Sequence, residues 1–204
     1  MSEALLVVDV QNDFCPGGAL AVERGDEVVP VINRLLERFG QVVFTQDWHP
    51  AGHHSFASAH KAKAPYQTVE LAYGTQVLWP DHCVQGTPGT DFHPDLQVRA
   101  AQCVVRKGFR KEIDSYSSFM ENDQATATGL AGYLRERGIE RLYVAGLATD
   151  FCVKWSVLDG IKAGFTMHLV QDAVRGIDLD GSVQAALDEM RQAGAGFVLS
   201  HELL

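Results

Sequence analysis

The chain has 204 residues, of which 46% are apolar and 21% are charged, a balance typical of one soluble globular domain. Its formal net charge of −9 disfavours nucleic acid and anionic membranes as partners. No apolar run reaches the length of a membrane span, and the first residues lack the basic region of a signal peptide. The four cysteines show no disulfide or zinc-finger spacing, so we expect reduced thiols in a cytoplasmic protein.

Six short apolar runs predict strands, and helical patterns lie between most of them. The strands are predicted at 4–10, 41–45, 102–106, 141–146, 166–170 and 196–199, and the helices at 26–39, 126–137, 151–163 and 181–193. Several of the strands are apolar on both faces, which is typical of a parallel sheet covered on two sides. The alternation of strand and helix therefore predicts a three-layer αβα fold.

Residues 47–101 are the exception, because they lack strong periodicity and are rich in Gly, Pro and His. A segment of this length without regular structure is usually a functional insertion. We predict a single domain over 1–204 that contains this loop-rich, metal-binding insertion. Six of the eight histidines lie in it, namely His49, His53, His54, His60, His82 and His93.

Cys152 lies in the stretch GLATDFCV (146–153), which is predicted to form the turn between a buried strand and a helix. A cysteine at the start of a helix lies near the positive end of the helix dipole. That position lowers the pKa of a thiol and yields a nucleophilic thiolate near neutral pH. Sites in open α/β sheets lie at the carboxyl ends of the strands, so the partners of Cys152 are expected at the other strand ends.

Asp9 ends the first predicted strand, and Lys107 follows the third. A carboxylate in this position is a candidate base for a thiol. A lysine beside them would stabilise a thiolate and the negative charge that develops on a substrate. From the pattern alone, Asp9 can equally be a helix cap or turn residue, and Lys107 a solvated side chain.

Asp47 and His49 follow the second predicted strand, and residues two apart in an extended chain face the same side. The two can therefore grip one divalent metal, with His82 of the insertion as a third ligand. Two nitrogens and one carboxylate oxygen suit zinc, iron or manganese better than calcium or magnesium. A surface histidine and a capping aspartate are the alternative. Three aromatic residues flank the candidate sites and either wall a flat ring or belong to the core: Phe14, Trp79 and Tyr116.

Together these motifs resemble the nicotinamidase/pyrazinamidase branch of the isochorismatase-like cysteine hydrolases. The resemblance rests on DVQNDF (9–14) with GGAL (17–20), DWHP (47–50), WPDHC (79–83), RKG (106–108) and the turn at Cys152. The motifs occur in the family's order and span nearly the whole chain. The resemblance implies the isochorismatase-like hydrolase fold, with a six-stranded parallel sheet in the order 3-2-1-4-5-6. The first and fourth strands would then be neighbours.

The resemblance also implies the members of the site. The catalytic triad would be Asp9, Lys107 and Cys152, and a cis peptide bond from Leu147 to Ala148 would direct the amides of Ala148 and Cys152 at an oxyanion. One divalent metal, zinc first and iron or manganese as alternatives, would be held by three protein ligands with waters completing its shell: Asp47, His49 and His82. Some members use a further ligand after the Asp-x-His motif, and the sequence does not select among His53, His54 and Ser55.

The reaction implied is hydrolysis of nicotinamide to nicotinate and ammonia, a step of NAD salvage, with pyrazinamide as a second substrate. The metal would anchor the pyridine nitrogen, and Phe14, Trp79 and Tyr116 would enclose the ring. The expected partner is therefore a small molecule, while homo-oligomer formation stays open. One alternative is another cysteine amidase, such as an N-carbamoyl or ureido hydrolase, which needs no metal for a pyridine nitrogen. The other is a non-catalytic metal-binding or redox-sensing protein with Cys152 as its sensor.

Overall fold

A central parallel sheet organises residues 2–204, which the computed structural model describes. These residues form eight strands: β1 (Ser2–Val8), β2 (Val42–Asp47), β3 (Thr68–Leu71), β4 (Gly74–Val77), β5 (Cys103–Lys107), β6 (Ile139–Leu147), β7 (Thr166–Arg175) and β8 (Gly196–Val198). Six of them form the central sheet in the order β5-β2-β1-β6-β7-β8, and every neighbouring pair is parallel. Numbered among themselves, these six strands have the predicted order 3-2-1-4-5-6.

Helices cover both faces of the sheet, as predicted for a three-layer fold. They are α1 (Val28–Arg38), α2 (Leu130–Glu136), α3 (Lys154–Lys162) and α4 (Ser182–Gln192). Helix α1 buries Ile32 and Leu35 in the core on one face, whereas α2, α3 and α4 bury Leu134, Val157 and Met190 on the other. None of the helices described within residues 2–204 is long and apolar enough to cross a bilayer.

Several element bounds differ from the prediction, and each difference has a local cause. Strand β1 ends at Val8 because Asp9 has a left-handed backbone, with φ of 49°. Helix α2 begins later than predicted, because Met120 and Ala127 pair across an antiparallel bridge. The helix predicted from 151 begins only at Lys154, because 149–153 form a π-helical turn.

The insertion at 47–101 contains regular structure that the sequence analysis did not predict. Strands β3 and β4 form an antiparallel hairpin with a two-residue turn at Ala72 and Tyr73, and Gly74 begins β4 with φ of 121°. Residues 68–71 alternate polar and apolar over only four positions and 74–77 do not alternate, so the hairpin gives a weak strand signal. Elsewhere the insertion packs Trp79, Cys83 and Leu96 into the core on the α1 face, so it is anchored to the sheet.

The chain adds strands on one side of β1 and then, from β6 onwards, on the other, so the strand order reverses between β1 and β6. These two central strands pair from Ser2 to Val8. Gly146 lies at the end of this pairing with φ of 117°, and a Cβ atom there would be 2.1 Å from the carbonyl oxygen of Val8. Only glycine therefore permits this approach. The close pairing brings the residues that follow β1 and β6, Asp9 and the turn with Cys152, to one point.

Candidate active site

Four charged or nucleophilic side chains meet at the carboxyl ends of the strands. Asp9 follows β1, Asp47 ends β2, Lys107 ends β5, and Cys152 lies in the turn after β6. The register of β2 and β5 places Asp47 directly opposite Lys107. All four residues are buried, so their interactions take place away from bulk water.

Lys107 lies at the centre of this group. Its Nζ atom is 2.8 Å from Asp9 Oδ2, 2.5 Å from Asp47 Oδ1 and 3.4 Å from Cys152 Sγ, and it donates to the Ser115 carbonyl at 2.9 Å. Burial lowers the pKa of Lys107, but the Asp47 and Asp9 carboxylates outweigh that effect and raise this pKa well above its ordinary value. The interpretation of Lys107 as a solvated side chain is therefore wrong.

Asp9 is oriented by its backbone and by β2. The Thr45 hydroxyl donates to Asp9 Oδ1 at 2.6 Å, and Thr45 Oγ1 accepts from the Asp9 N–H at 3.2 Å. Burial raises the pKa of Asp9, although Lys107 acts in the opposite direction. The carboxyl group is therefore a stronger base than an exposed aspartate. Thr45 was missed by the sequence analysis, since a threonine inside a strand carries no separate signal.

Cys152 differs from the expectation of a low thiol pKa. Burial raises the pKa of the thiol well above its ordinary value, and Asp9 and Asp47 add to this, while Lys107 opposes them. The expectation was wrong because Cys152 lies within the π-helical turn, before α3 begins, and is buried beside two carboxylates. Ligand atoms of Asp9, Asp47 and Cys152 all lie within 4.8 Å of one another. The thiol therefore keeps its proton until a base removes it.

Asp47, His49 and His82 form a compact group of possible metal ligands, with one ligand atom of each within 4.8 Å of the others. Asp47 Oδ2 lies 3.4 Å from His49 Nε2 and 3.7 Å from His82 Nε2. The Nδ1 atoms contact backbone carbonyls at 2.8 Å, those of Gly108 and Pro80. If Nδ1 carries the proton, both Nε2 lone pairs point towards Asp47. This donor set fits one zinc, iron or manganese ion.

The charges in this group favour a cation between the ligands. Burial raises the pKa of Asp47, but Lys107 and His49 outweigh it, so this pKa lies well below its ordinary value. Burial lowers the pKa of His49, and Asp47 outweighs that effect and raises it. A charged carboxylate beside His49, which would otherwise bind a proton more readily, is an arrangement that a divalent cation satisfies.

The three candidates for an additional ligand have different surroundings. His53 Nδ1 contacts Ser55 Oγ at 2.7 Å, and His53 Nε2 contacts the Arg110 carbonyl at 2.9 Å. The His53 ring also packs against His49 with centroids 4.4 Å apart, and burial lowers the pKa of His53 to about 4. His53 and Ser55 thus already have protein partners. The backbone carbonyl of His54 contacts the ring of His60 at 2.7 Å.

A narrow pocket joins the cysteine to the metal ligands, and its aromatic walls suit a flat ring. The aromatic side chains predicted for it are in place, and Phe151 joins them, with its ring centroid 4.7 Å from Trp79 and 5.6 Å from Tyr116. The Leu147–Ala148 peptide bond at its base is cis, as the resemblance implies. The lining residues are Phe14, Leu20, Asp47, Trp79, His82, Asp114, Tyr116, Ala148, Phe151, Cys152 and Ile177.

Four of the lining residues were missed by the sequence analysis: Leu20, Asp114, Phe151 and Ile177. Phe151 could have been found, because it directly precedes Cys152. Asp114 is buried, and its Oδ1 atom lies 4.0 Å from His49 Nε2. It lies in a loop without strand or helix, and no local pattern predicts its contacts.

Comparison with known proteins identifies the family. The isochorismatase domain matches residues 3–202, and the chain belongs to this family. The chain is 53% identical over 201 residues to a nicotinamidase of Acinetobacter baylyi. This alignment covers 98% of this chain and 94% of that relative.

Solved structures agree with this assignment. The fold matches a nicotinamidase/pyrazinamidase structure from Acinetobacter baumanii with a TM-score of 0.98 and 55% identity, over 100% of this chain and 98% of the other. It also matches a pyrazinamidase of Pyrococcus horikoshii in complex with zinc. That match has a TM-score of 0.79 and 37% identity, over 98% of this chain and 99% of the other.

Proposed function

We propose that this chain is an amidohydrolase that converts nicotinamide to nicotinate and ammonia through a thioester on Cys152. The observation that carries this proposal is the placement of Lys107 Nζ, 3.4 Å from Cys152 Sγ and 2.8 Å from Asp9 Oδ2. These groups lie beside an aromatic-lined pocket that Asp47 and His82 also line. The high identity to a nicotinamidase over nearly the whole chain supports the same reaction.

The first half of the reaction forms the thioester and releases ammonia. Asp9 accepts the thiol proton of Cys152, and the sulfur forms a bond to the carboxamide carbon. The carbonyl electron pair moves to the oxygen, and the backbone N–H groups of Ala148 and Cys152 donate to this oxyanion. Asp9 returns its proton to the nitrogen as the C–N bond breaks. Asp9 is suited to both transfers, because burial raises its pKa as well as that of the thiol.

The second half consumes one water molecule. Asp9 accepts a proton from the water, whose oxygen attacks the thioester carbon. The C–S bond then breaks, the carboxylic acid forms, and the proton on Asp9 returns to the sulfur. Throughout both halves the Lys107 ammonium offsets negative charge on Asp9, on the sulfur and on the oxyanion, because it contacts the first two directly.

Asp47, His49 and His82 would hold one divalent metal, and zinc is our assignment, with iron and manganese as alternatives. Zinc in the Pyrococcus horikoshii relative supports this choice. When bound, the metal would act as a Lewis acid that binds the ring nitrogen of the substrate. The rings of Phe14 and Trp79 would enclose the pyridine or pyrazine ring. We place the reaction in the cytoplasm, as part of NAD salvage.

The experiment is release of ammonia and nicotinate from nicotinamide by the purified protein. We expect turnover by the wild type, none by Cys152→Ala, and normal turnover by the matched control Cys103→Ala, whose half-buried thiol lies on the edge strand β5. Chelation should remove activity, and zinc should restore it. Activity in Cys152→Ala would contradict the nucleophile assignment. Hydrolysis of N-carbamoyl substrates instead of nicotinamide would place the chain among the other amidases.

A further inference from the structure

Gln76 is a buried polar side chain of the β3–β4 hairpin that takes no part in the mechanism above. It is 1% exposed. Its Nε2 atom lies 2.8 Å from the hydroxyl oxygen of Tyr116, 2.9 Å from Asp114 Oδ2 and 2.7 Å from the Val77 carbonyl oxygen. Gln76 thus contacts two residues that line the substrate pocket without lining it itself.

The surrounding groups determine how the Gln76 amide is oriented. Its Oε1 atom accepts from the Tyr73 hydroxyl at 2.9 Å and from Asn122 Nδ2 at 3.3 Å. Asn122 must present its NH₂ group there, because its Oδ1 atom accepts from the Tyr116 N–H at 3.0 Å. The reversed amide would place its oxygen against Asp114 Oδ2, so the NH₂ group of Gln76 is assigned to face it. The reversed amide would oppose like groups at both ends.

Two donor groups consequently lie within hydrogen-bond distance of the Tyr116 hydroxyl. Trp79 Nε1, which can only donate, lies 3.1 Å from it, and Gln76 Nε2 lies 2.8 Å from it on the hairpin side. The Tyr116 backbone is fixed as well, through Asn122. Since both ends of the residue are held, the ring has one position against Phe151 and the pocket.

We propose that Gln76 is a positioning residue, through which the hairpin fixes the Tyr116 ring against the bound substrate ring. Gln76 would act on substrate affinity and leave the rate of bond cleavage unchanged, because its side-chain hydrogen bonds reach neither the Asp9, Lys107 and Cys152 group nor the metal ligands. The inference rests on the proposed function, which places the substrate ring beside Tyr116.

The expected size of the effect follows from the contacts that are lost. Removing the Gln76 amide leaves a buried carboxylate and a buried hydroxyl each without one donor. The Tyr116 ring, no longer held from the hairpin side, must then be ordered when the substrate binds. A cost of about one hydrogen bond on that binding step corresponds to about a tenfold rise in KM. We expect kcat to remain within about twofold of the wild type, since no group that reacts is altered.

The test is a double-mutant cycle on kcat and KM with Gln76→Leu and Tyr116→Phe, using the carboxamide that the wild type hydrolyses fastest. Each single variant should raise KM about tenfold, and Gln76→Leu should add less than about threefold in the Tyr116→Phe background. The matched control is Glu70→Ala, which removes an exposed hydrogen bond to Thr75 in the same hairpin and should leave KM unchanged.

Independent, multiplying effects of the two substitutions would overturn the inference, as would a loss confined to kcat or an equal effect of Glu70→Ala. If Gln76→Leu does not fold, Tyr73→Phe replaces it, because it removes the hydroxyl that donates to Gln76 Oε1 and keeps the ring; this hydroxyl also accepts from the Asp114 N–H at 3.4 Å. For this variant, a smaller rise in KM that vanishes in the Tyr116→Phe background would support the inference, and an unchanged KM would refute it.

The failure of this inference can be told apart from failure of the proposed function. If the wild type hydrolyses pyridine carboxamides and Gln76→Leu has the same KM, only this inference is refuted. If the wild type is inactive on every carboxamide, the proposed function is refuted as well.

Discussion

Replacing Lys107 by methionine tests the electrostatic centre of the site. Methionine has a similar length but no charge, so the Asp9 and Asp47 carboxylates would lose the ammonium group that now lies 2.8 and 2.5 Å from them. Breaking a buried ion pair by removal of one partner costs about 3–5 kcal/mol. For a protein of this size each kcal/mol lowers Tm by about 2–4 °C, which gives an expected decrease of about 6–20 °C.

A second substitution separates charge from packing. Asp9→Asn in the Lys107→Met background removes one of the two unpaired carboxylates, so it should recover a large part of the lost Tm. Both variants should be inactive, because the triad is incomplete in each. The control is Lys63→Met, an exposed lysine that donates to the Thr68 carbonyl at 3.0 Å, and its Tm should change by no more than about 2 °C.

The measurement is thermal denaturation followed by circular dichroism, with chelator and again with zinc. A Lys107→Met protein as stable as the Lys63→Met control would refute the idea that Lys107 holds two buried charges together. A double variant no more stable than Lys107→Met would also refute it, because the loss would then come from packing around the methionine.

Three further outcomes follow from the same site and from the core. Asp9→Asn should keep the fold and lower kcat by about 10²–10⁴-fold, and near-normal turnover would make Asp9 a structural turn residue. His82→Ala should impair substrate capture more than folding. Benzamide, which lacks the ring nitrogen, should be a much poorer substrate than nicotinamide, and equal turnover of benzamide and nicotinamide would refute ring anchoring. Burial, with help from Arg141, lowers the pKa of His168 below its ordinary value of 6.5, where its ring stacks on Tyr143. The folded state therefore binds the proton less readily than the unfolded chain. Denaturant titrations should show wild-type stability falling more steeply than that of His168→Gln as pH drops below about 6.5, and parallel curves would contradict this.

The layers of the fold and most of the site could be predicted from local patterns. Apolar runs identified the six strands of the sheet, and Asp47 and His49 were placed together because alternate residues of an extended chain share a side. The pairing of Asp47 with Lys107 could not be predicted this way, since it depends on the register between strands far apart in the sequence.

Other errors arose where burial decides the outcome. The thiol pKa of Cys152 was predicted from its position before a helix, whereas desolvation dominates and raises it. The hairpin was missed because few of the side chains in its two strands are fully buried, so the strands lack an extended apolar run. Its one buried position, Gln76, is polar, so hydrophobic periodicity gives no sign of it. Asp114 is also polar and buried, and its partners Gln76 and His49 come from distant segments, so no local pattern indicated it.

The pairing of β1 with β6 has a consequence for how the protein acquires activity during synthesis. Val8 lies beside Gly146 in the finished sheet, so Asp9 leaves the ribosome long before the strand that brings Cys152 to it. Contacts of such long range form slowly and late in folding. A nascent or truncated chain that ends before β6 therefore has the base, the ammonium group and the metal ligands but no nucleophile. Catalysis should appear in one step with closure of the central strands, without a partly active intermediate.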